Sequence, residues 1–230
     1  KPTIVLPAQE VCTGTPVRLS VSSPQQNGTY QWTGPLNFQR SGSNIIIDSV
    51  ELTQSGKYTV RFTTNAGCQG DAVTELFVKQ SVLITSFDLF GDPCTNSSLS
   101  LKPNLLPLDN GTYSYFWTGP NGFTSTLQNP TLTASTAAAG TYTLTTNLSG
   151  CIATATTTVV VNPLPTVSAG PNAAYCIGGS ATLSASGANT YTWSPATGLS
   201  STTGASVTAS PGSTTTYTVS GTSAAGCVNT

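Results

Sequence analysis

A chain of 230 residues has room for one to three domains, yet only 7% of its residues are charged, against roughly 25% in an average soluble domain. A net charge of −1 with no basic run leaves no electrostatic footprint for nucleic acid or an anionic membrane surface. No apolar run approaches the roughly 20 residues of a membrane span, and the absence of His removes His-based triads and the commonest metal ligand.

Thr, Ser, Gly and Asn take the polar positions instead, and the strand signals come in short alternating runs. Residues 3–6 open the chain as a strand-like segment, and the chain is read as a piece of a longer precursor. A turn at CTGTP follows, then strand B over 17–22 and strand C over 29–33 around Trp32. A middle strand covers 45–47, strand F 58–64 and strand G 72–79. The joint KQSVLITSFDLFGDP has few Pro and many apolar residues, so the units on either side are expected to pack closely. The second unit repeats the pattern with SLSL from Ser98, Trp117, strand F over 142–146 and strand G over 153–161. Its loops LDNGT and TGPNGF carry Asn-Gly turn chemistry, and the run 134–139 has room for one helical turn. NPLP at 162–165 is a short stiff linker, because Pro fixes φ and restricts its predecessor. The third unit has ATLSAS, Trp193 and Tyr217, and it stops at Thr230, where its last strand should begin. Truncation or disorder accounts for that; a strand donated by another chain is the alternative.

Self-similarity makes this a repeat protein. GKYTVRFTTNAGC ends at Cys68, GTYTLTTNLSGC at Cys151 and TTYTVSGTSAAGC at Cys227. The first cysteines, Cys12, Cys94 and Cys176, are spaced by 82 both times. The units fall at 1–80, 81–163 and 164–230. Seven short strands, a Trp on C and a Tyr opening F read as an immunoglobulin-like sandwich, so the fold class is all-β: three tandem immunoglobulin-like domains in an elongated rod, the third incomplete. Tyr58 and Tyr142 sit at the E–F corner, and Tyr217 keeps the aromatic. Trp32, Trp117 and Trp193 are read as core; the alternative is a row of exposed sugar-stacking platforms.

The stretch ATLSASGANTYTWSPATGLSSTTGASVTASPGSTTTYTVSGTSAAGC resembles the Ig-like repeats of very large Bacteroidetes surface proteins, as does FWTGPNGFTSTLQNPTLT followed by GTYTLTT. The likeness covers all three units and is loosest in the first, where WTGPLNFQRSGSN has lost the GPNGF form. Such repeats occur in gliding-motility adhesins and other cargo of the type IX secretion system. The resemblance implies an extracellular, cell-surface, non-enzymatic stalk or filament segment whose partners are neighbouring repeats and, beyond them, a surface polysaccharide or another cell-surface protein. It transfers no catalytic or ligand-binding residue. A module binding through its own loops, such as Thr118 to Phe123, and an accessory region of a secreted hydrolase are the alternatives.

Six cysteines in a repeated pattern without a CxxC pair point to disulfides and an oxidising compartment. In an antibody-type domain the F-strand Cys follows the corner Tyr by two residues. Here Cys68, Cys151 and Cys227 follow by ten, nine and ten. At 3.3 Å per residue this carries them roughly 25 Å further, to the F–G tip. The first cysteine of each unit belongs near the opposite end, and bridged Cα atoms must lie within about 7 Å. A regular sandwich therefore favours pairing across joints, Cys12 with Cys151 and Cys94 with Cys227, leaving Cys68 and Cys176. Pairing within units (Cys12–Cys68, Cys94–Cys151, Cys176–Cys227) is the simpler alternative, and the two schemes stay open here.

Other chemistry is thin. The carboxylate pairs Asp48/Glu51 and Asp88/Asp92 have no cleft for glycoside hydrolysis, and no cofactor or metal is expected. An inter-domain Ca²⁺ site at Asp88 and Asp92 lacks a third acidic ligand. Asn27, Asn96, Asn110 and Asn147 each open an N-x-S/T triplet, and Asp48-Ser49-Val50 matches a short O-glycosylation pattern; both are common by chance in so Thr- and Ser-rich a chain.

Overall fold

A computed structural model describes residues 8–21, 27–106 and 112–230. The opening strand expected at 3–6, the end of strand B and Asn110 lie outside them. The described residues form strands, turns, irregular loops and four single 3₁₀ turns, with no α-helix among them.

The first sandwich holds β1 (Gln9–Cys12), β2 (Val17–Ser20), β3 (Gly28–Gly34), β4 (Phe38–Ser41), β5 (Asn44–Ile47), β6 (Gly56–Thr64) and β7 (Gln69–Lys79). One sheet runs β1-β7-β6-β3-β4, and β2 pairs with β5 opposite it. Period-two alternation puts Val17, Leu19, Ile45 and Ile47 inward against Trp32, Tyr58 and Val60. β1 runs parallel to β7, with Gln9 opposite Leu76 and Cys12 opposite Lys79. β4 (FQRS) was not expected. Three of its four residues are exposed, so it carries no apolar period, and its hairpin register with β3 defines it.

The second sandwich holds β8 (Leu83–Gly91), β9 (Ser98–Leu106), β10 (Tyr113–Thr118), β11 (Thr124–Ser125), β12 (Thr131–Thr133), β13 (Gly140–Leu148) and β14 (Cys151–Val159). Its sheets are β11-β10-β13-β14 and β12-β9-β8. Most of the stretch read as the first joint is in fact β8. A register shift between Ile84 and Ser86 breaks its period, and as an edge strand it leaves Leu83, Leu89 and Phe90 exposed. The true joint is a few residues around Val82. The run 134–139 contains one 3₁₀ turn, Thr136–Ala138.

The third sandwich holds β15 (Ser168–Ala169), β16 (Ala181–Ser186), β17 (Thr190–Ser194), β18 (Ser206–Ala209), β19 (Thr218–Thr222) and β20 (Val228–Asn229). Its sheets are β15-β16-β18 and β17-β19-β20. Its last strand is represented by the two residues of β20, which pair with Gly221 and Thr222. Its buried core is correspondingly small: Tyr191, Trp193, Val207 and Val219.

The three tryptophans occupy one structural position. Each indole N–H donates to a backbone carbonyl across the C-strand loop: Trp32 to Gly42 at 2.9 Å, Trp117 to Leu127 at 3.1 Å and Trp193 to Gly204 at 2.9 Å. Trp32 and Trp117 are wholly buried and Trp193 nearly so. A ring facing inward with its one donor already satisfied offers no stacking face to a sugar.

The corner tyrosines are fixed the same way in two units. Tyr58 donates to the Gln54 carbonyl at 3.0 Å and Tyr142 to that of Ala138 at 2.8 Å. Burial pushes both hydroxyls up from their ordinary pKa of 10.0, so at neutral pH they stay donors. Tyr217 departs from the pattern: it is half-buried and donates to Thr197 at 2.6 Å. The register explains this. Tyr58 faces Thr74 and Tyr142 faces Thr157 across the sheet, while β20 is too short to face Tyr217.

The loop that leaves each of the first two tryptophans clamps the tyrosine. Gly34 and Gly119 lie against the ring faces, where an added Cβ would come within 2.6 Å of Tyr58 and 2.5 Å of Tyr142. Phe38 and Phe123 meet those rings edge-on at 5.3 and 5.2 Å. Although WTGPLNF looked divergent, Leu36 (φ 55°) and Asn37 (φ 57°) take the left-handed conformation of Asn121 (φ 52°) and Gly122 (φ 73°). A leucine there is strained, and its side chain is largely exposed. Replacing it as the second unit does, Leu36→Asn, is expected to stabilise the first sandwich by about 1 kcal/mol. A urea midpoint that stays put or falls would contradict the clamp.

Candidate functional site at the joints

The residues with most to say about function gather where sandwiches meet. Cys12 ends β1, and the parallel register sets it level with Lys79 at the end of β7. Cys151 opens β14 just beyond the turn at Ser149 and Gly150. The two sulfurs are bonded at 2.07 Å with Cα atoms 5.7 Å apart. Cys151 Sγ also lies 4.0 Å from the Lys79 carbonyl. At this joint Val82 is buried with Leu105 and Leu148, a small apolar cluster that meets the second sandwich's main core through Ile84 and Tyr115. Ser81 ties the joint back to the first sandwich: Thr13 Oγ1 accepts from its N–H at 3.0 Å, and its hydroxyl donates to the Thr13 carbonyl at 2.6 Å.

The second joint repeats the first. Cys94, bridged in parallel to Asn162, is bonded to Cys227 with Cα atoms 5.5 Å apart. Cys227 Sγ lies 3.8 Å from the Asn162 carbonyl, matching Cys151 and Lys79. Asn229 Nδ2 donates to the Pro165 carbonyl at 2.9 Å, so the third sandwich also grips the linker. Cys94, Cys151 and Cys227 are buried, whereas Cys68 and Cys176 are exposed and unpaired.

The acidic candidates do not converge. Asp88 lies opposite Lys102 and accepts from Asn104 Nδ2 at 3.1 Å. Asp92 lies four residues on, roughly 13 Å along an extended chain, and accepts from the Cys94 N–H at 3.2 Å. Asp92 does sit with the Cys94 and Cys227 sulfurs, ligand atoms within 4.8 Å. Those sulfurs are bonded to each other, so the group offers a hard cation a single carboxylate. Glu51 caps the 3₁₀ turn Leu52–Gln54 through a reciprocal bond with Gln54. Among the glycosylation triplets, Asn96 holds a turn at φ 74° and Asn147 Oδ1 accepts from the Gly150 N–H at 2.7 Å, so both have structural work.

A cavity of about 600 Å³ opens in the third sandwich, lined in part by Tyr175, Leu183, Trp193, Ala209 and Tyr217. In the other two sandwiches the strand facing the corner tyrosine buries Leu76 and Val78, or Val159 with Val161 just beyond it, into the core. In the third sandwich β20 pairs only with Gly221 and Thr222, and among the described residues no strand is paired opposite Tyr217 on that side.

Residues 1–81 match the family described as "Ig-like domain CHU_C associated". The N-terminal eight Ig domains of Down Syndrome Cell Adhesion Molecule superpose on 99% of the chain at a TM-score of 0.64 and 16% identity. The chain carries tandem immunoglobulin-like domains. It spans 35% of that eight-domain structure. A three-domain I-band fragment of titin aligns with 99% of the chain and 96% of its own length at 12% identity and TM-score 0.42. Murine CEACAM1b aligns with 71% of the chain and 100% of its own length at 14% identity and TM-score 0.42. No functionally curated protein matches the chain in sequence. No helix among the described residues is long and apolar enough to cross a membrane.

What sequence reasoning missed at the joints is the apolar cluster of Val82, Leu105 and Leu148. Its members are scattered over 66 residues, and only β8–β9 pairing and the β13–β14 turn bring them together.

Proposed function

We propose that the chain is a stalk segment of a secreted bacterial surface adhesin. Ig-like domains 1–80, 81–163 and 164–230 stand end to end as a rod on the cell surface and hold a distal module away from it. That module, rather than these domains, meets the surface polysaccharide or cell-surface protein. The observation that carries this reading is the placement of one disulfide across each joint. A covalent bond from the β1 end of one domain to the β13–β14 turn of the next resists both bending and separation. The CHU_C-associated match and the repeat sequences support the bacterial surface setting, and disulfides persist in oxidising compartments. The loop at Thr118 to Phe123 has its Phe and Gly committed to the Tyr142 clamp, which argues against binding through that loop.

Pulling single molecules by their termini tests this. With both bridges intact the shortest covalent path runs through residues 1–12, 94–151 and 227–230. The first and third domains are then bypassed. We expect one unfolding event, drawing out a segment of the second domain that spans roughly 190 Å when fully extended, and three events after reduction. Three events without reductant, or none, would contradict the stapled stalk.

A further inference from the structure

We infer that the two joint disulfides open in a fixed order, so that a thiol reductant frees the first joint while the second stays locked. The inference rests on the stapled-stalk reading and gives its two staples different roles. Both bridges link the same two positions of the repeat, but their surroundings differ in charge and in access.

An acidic residue stands two before the first cysteine at each joint, Glu10 before Cys12 and Asp92 before Cys94. Glu10 is neutralised by Lys79, whose ammonium lies 2.6 Å from its carboxylate. The same ammonium would stand 3.9 Å from a Cβ on Gly150, the neighbour of Cys151. At the second joint Asn162 lies beside Cys94 as Lys79 lies beside Cys12, and it brings no charge. Asp92 forms no salt bridge among the described residues, and its carboxylate lies within 4.8 Å of the Cys94 and Cys227 sulfurs. The third domain supplies nothing to offset it, since residues 164–230 contain no Lys, Arg, Asp or Glu.

Access differs in the same sense. Cys12 is half-buried, so the first bridge has one side toward solvent. Cys94 and Cys227 are both buried, at 5% and 0% exposure.

The opening step is thiol–disulfide exchange. A reductant thiolate attacks Cys12 Sγ, the S–S bond breaks and Cys151 leaves as a thiolate. A second reductant thiolate then displaces Cys12 from the mixed disulfide. Two reductant thiols become one disulfide, and the two electrons and two protons they lose pass to the cysteines. At the second bridge the incoming thiolate meets the negative charge of Asp92, which slows it about fourfold in water, and burial adds to this. A mildly reducing setting therefore hinges the stalk between its first and second domains and leaves the second and third joined.

The test follows reduction of the full chain after Cys68 and Cys176 have been alkylated. Cysteamine, a cationic thiol, and 3-mercaptopropionate, an anionic one, are compared at equal thiolate concentration. Thiols freed with time are trapped by a second alkylating label and assigned by mass spectrometry. With the anionic thiol, Cys12 and Cys151 should take the label roughly tenfold sooner than Cys94 and Cys227. Asp92→Asn keeps an oxygen to accept the Cys94 N–H and removes the charge. It should speed the second bridge about fourfold with the anionic thiol and bring its preference for the cationic thiol down to that of the first bridge. A second bridge that opens first or together with the first overturns the inference, as does an Asp92→Asn variant with unchanged rates. Mapping both bridges before any reductant is added separates those outcomes from a failure of the stalk reading.

Discussion

Trp117→Ala is expected to lower the stability of the second domain by about 3–5 kcal/mol, the range for emptying a core of a large aromatic side chain. The indole is fully buried, donates to Leu127 and meets Phe87 edge-on at 5.6 Å. Truncation leaves a void and strands a carbonyl. Urea denaturation of reduced protein, where no bridge couples the domains, reads the loss directly. Trp193→Ala should cost less, since only three other buried residues make up the core around it and the cavity beside it lets neighbours relax. If these rings instead served a sugar, Trp117→Ala would leave the urea midpoint alone and weaken polysaccharide binding.

The second large effect belongs to the first joint. Cys12→Ser with Cys151→Ser removes a link between residues 139 apart in sequence. A loss of about 2–4 kcal/mol is expected, chiefly through the freedom restored to the unfolded chain. Calorimetry should show the first and second domains melting in one transition when bridged and separating into two in this variant. Cys94→Ser with Cys227→Ser should uncouple the third domain instead. Unchanged transitions in both double variants would mean that the bridges carry no mechanical or thermodynamic weight.

How much of this could be read from residues alone varies with the kind of signal. One Trp and one Tyr per unit, set among alternating Val, Leu and Thr, marked the repeated sandwich, because burial of alternate residues imposes the period directly. β4 escaped notice because FQRS is polar on both faces and exists by hydrogen bonding to β3. β8 reads as linker in the sequence because its edge position and register shift erase the period. The likeness of GPLNF to GPNGF was hidden because backbone conformation, not side-chain identity, is what the two loops share; the clamp on tyrosine forces Leu36 into a shape its sequence disfavours. Tyr217 shows the converse: the same residue type behaves differently when the strand that should face it is only two residues long. At the joints, counting from Tyr58 to Cys68 favours separating the two cysteines of one unit but by itself leaves pairing within units open. The cover supplied by Val82, Leu105 and Leu148 had no local signature at all.

The whole reading stands on which sulfur is joined to which. Proteolysis of native, alkylated protein without reductant, followed by mass spectrometry of the linked peptides, measures this outright. Peptides joining Cys12 to Cys151 and Cys94 to Cys227 are the predicted result; a peptide joining Cys12 to Cys68 would contradict it.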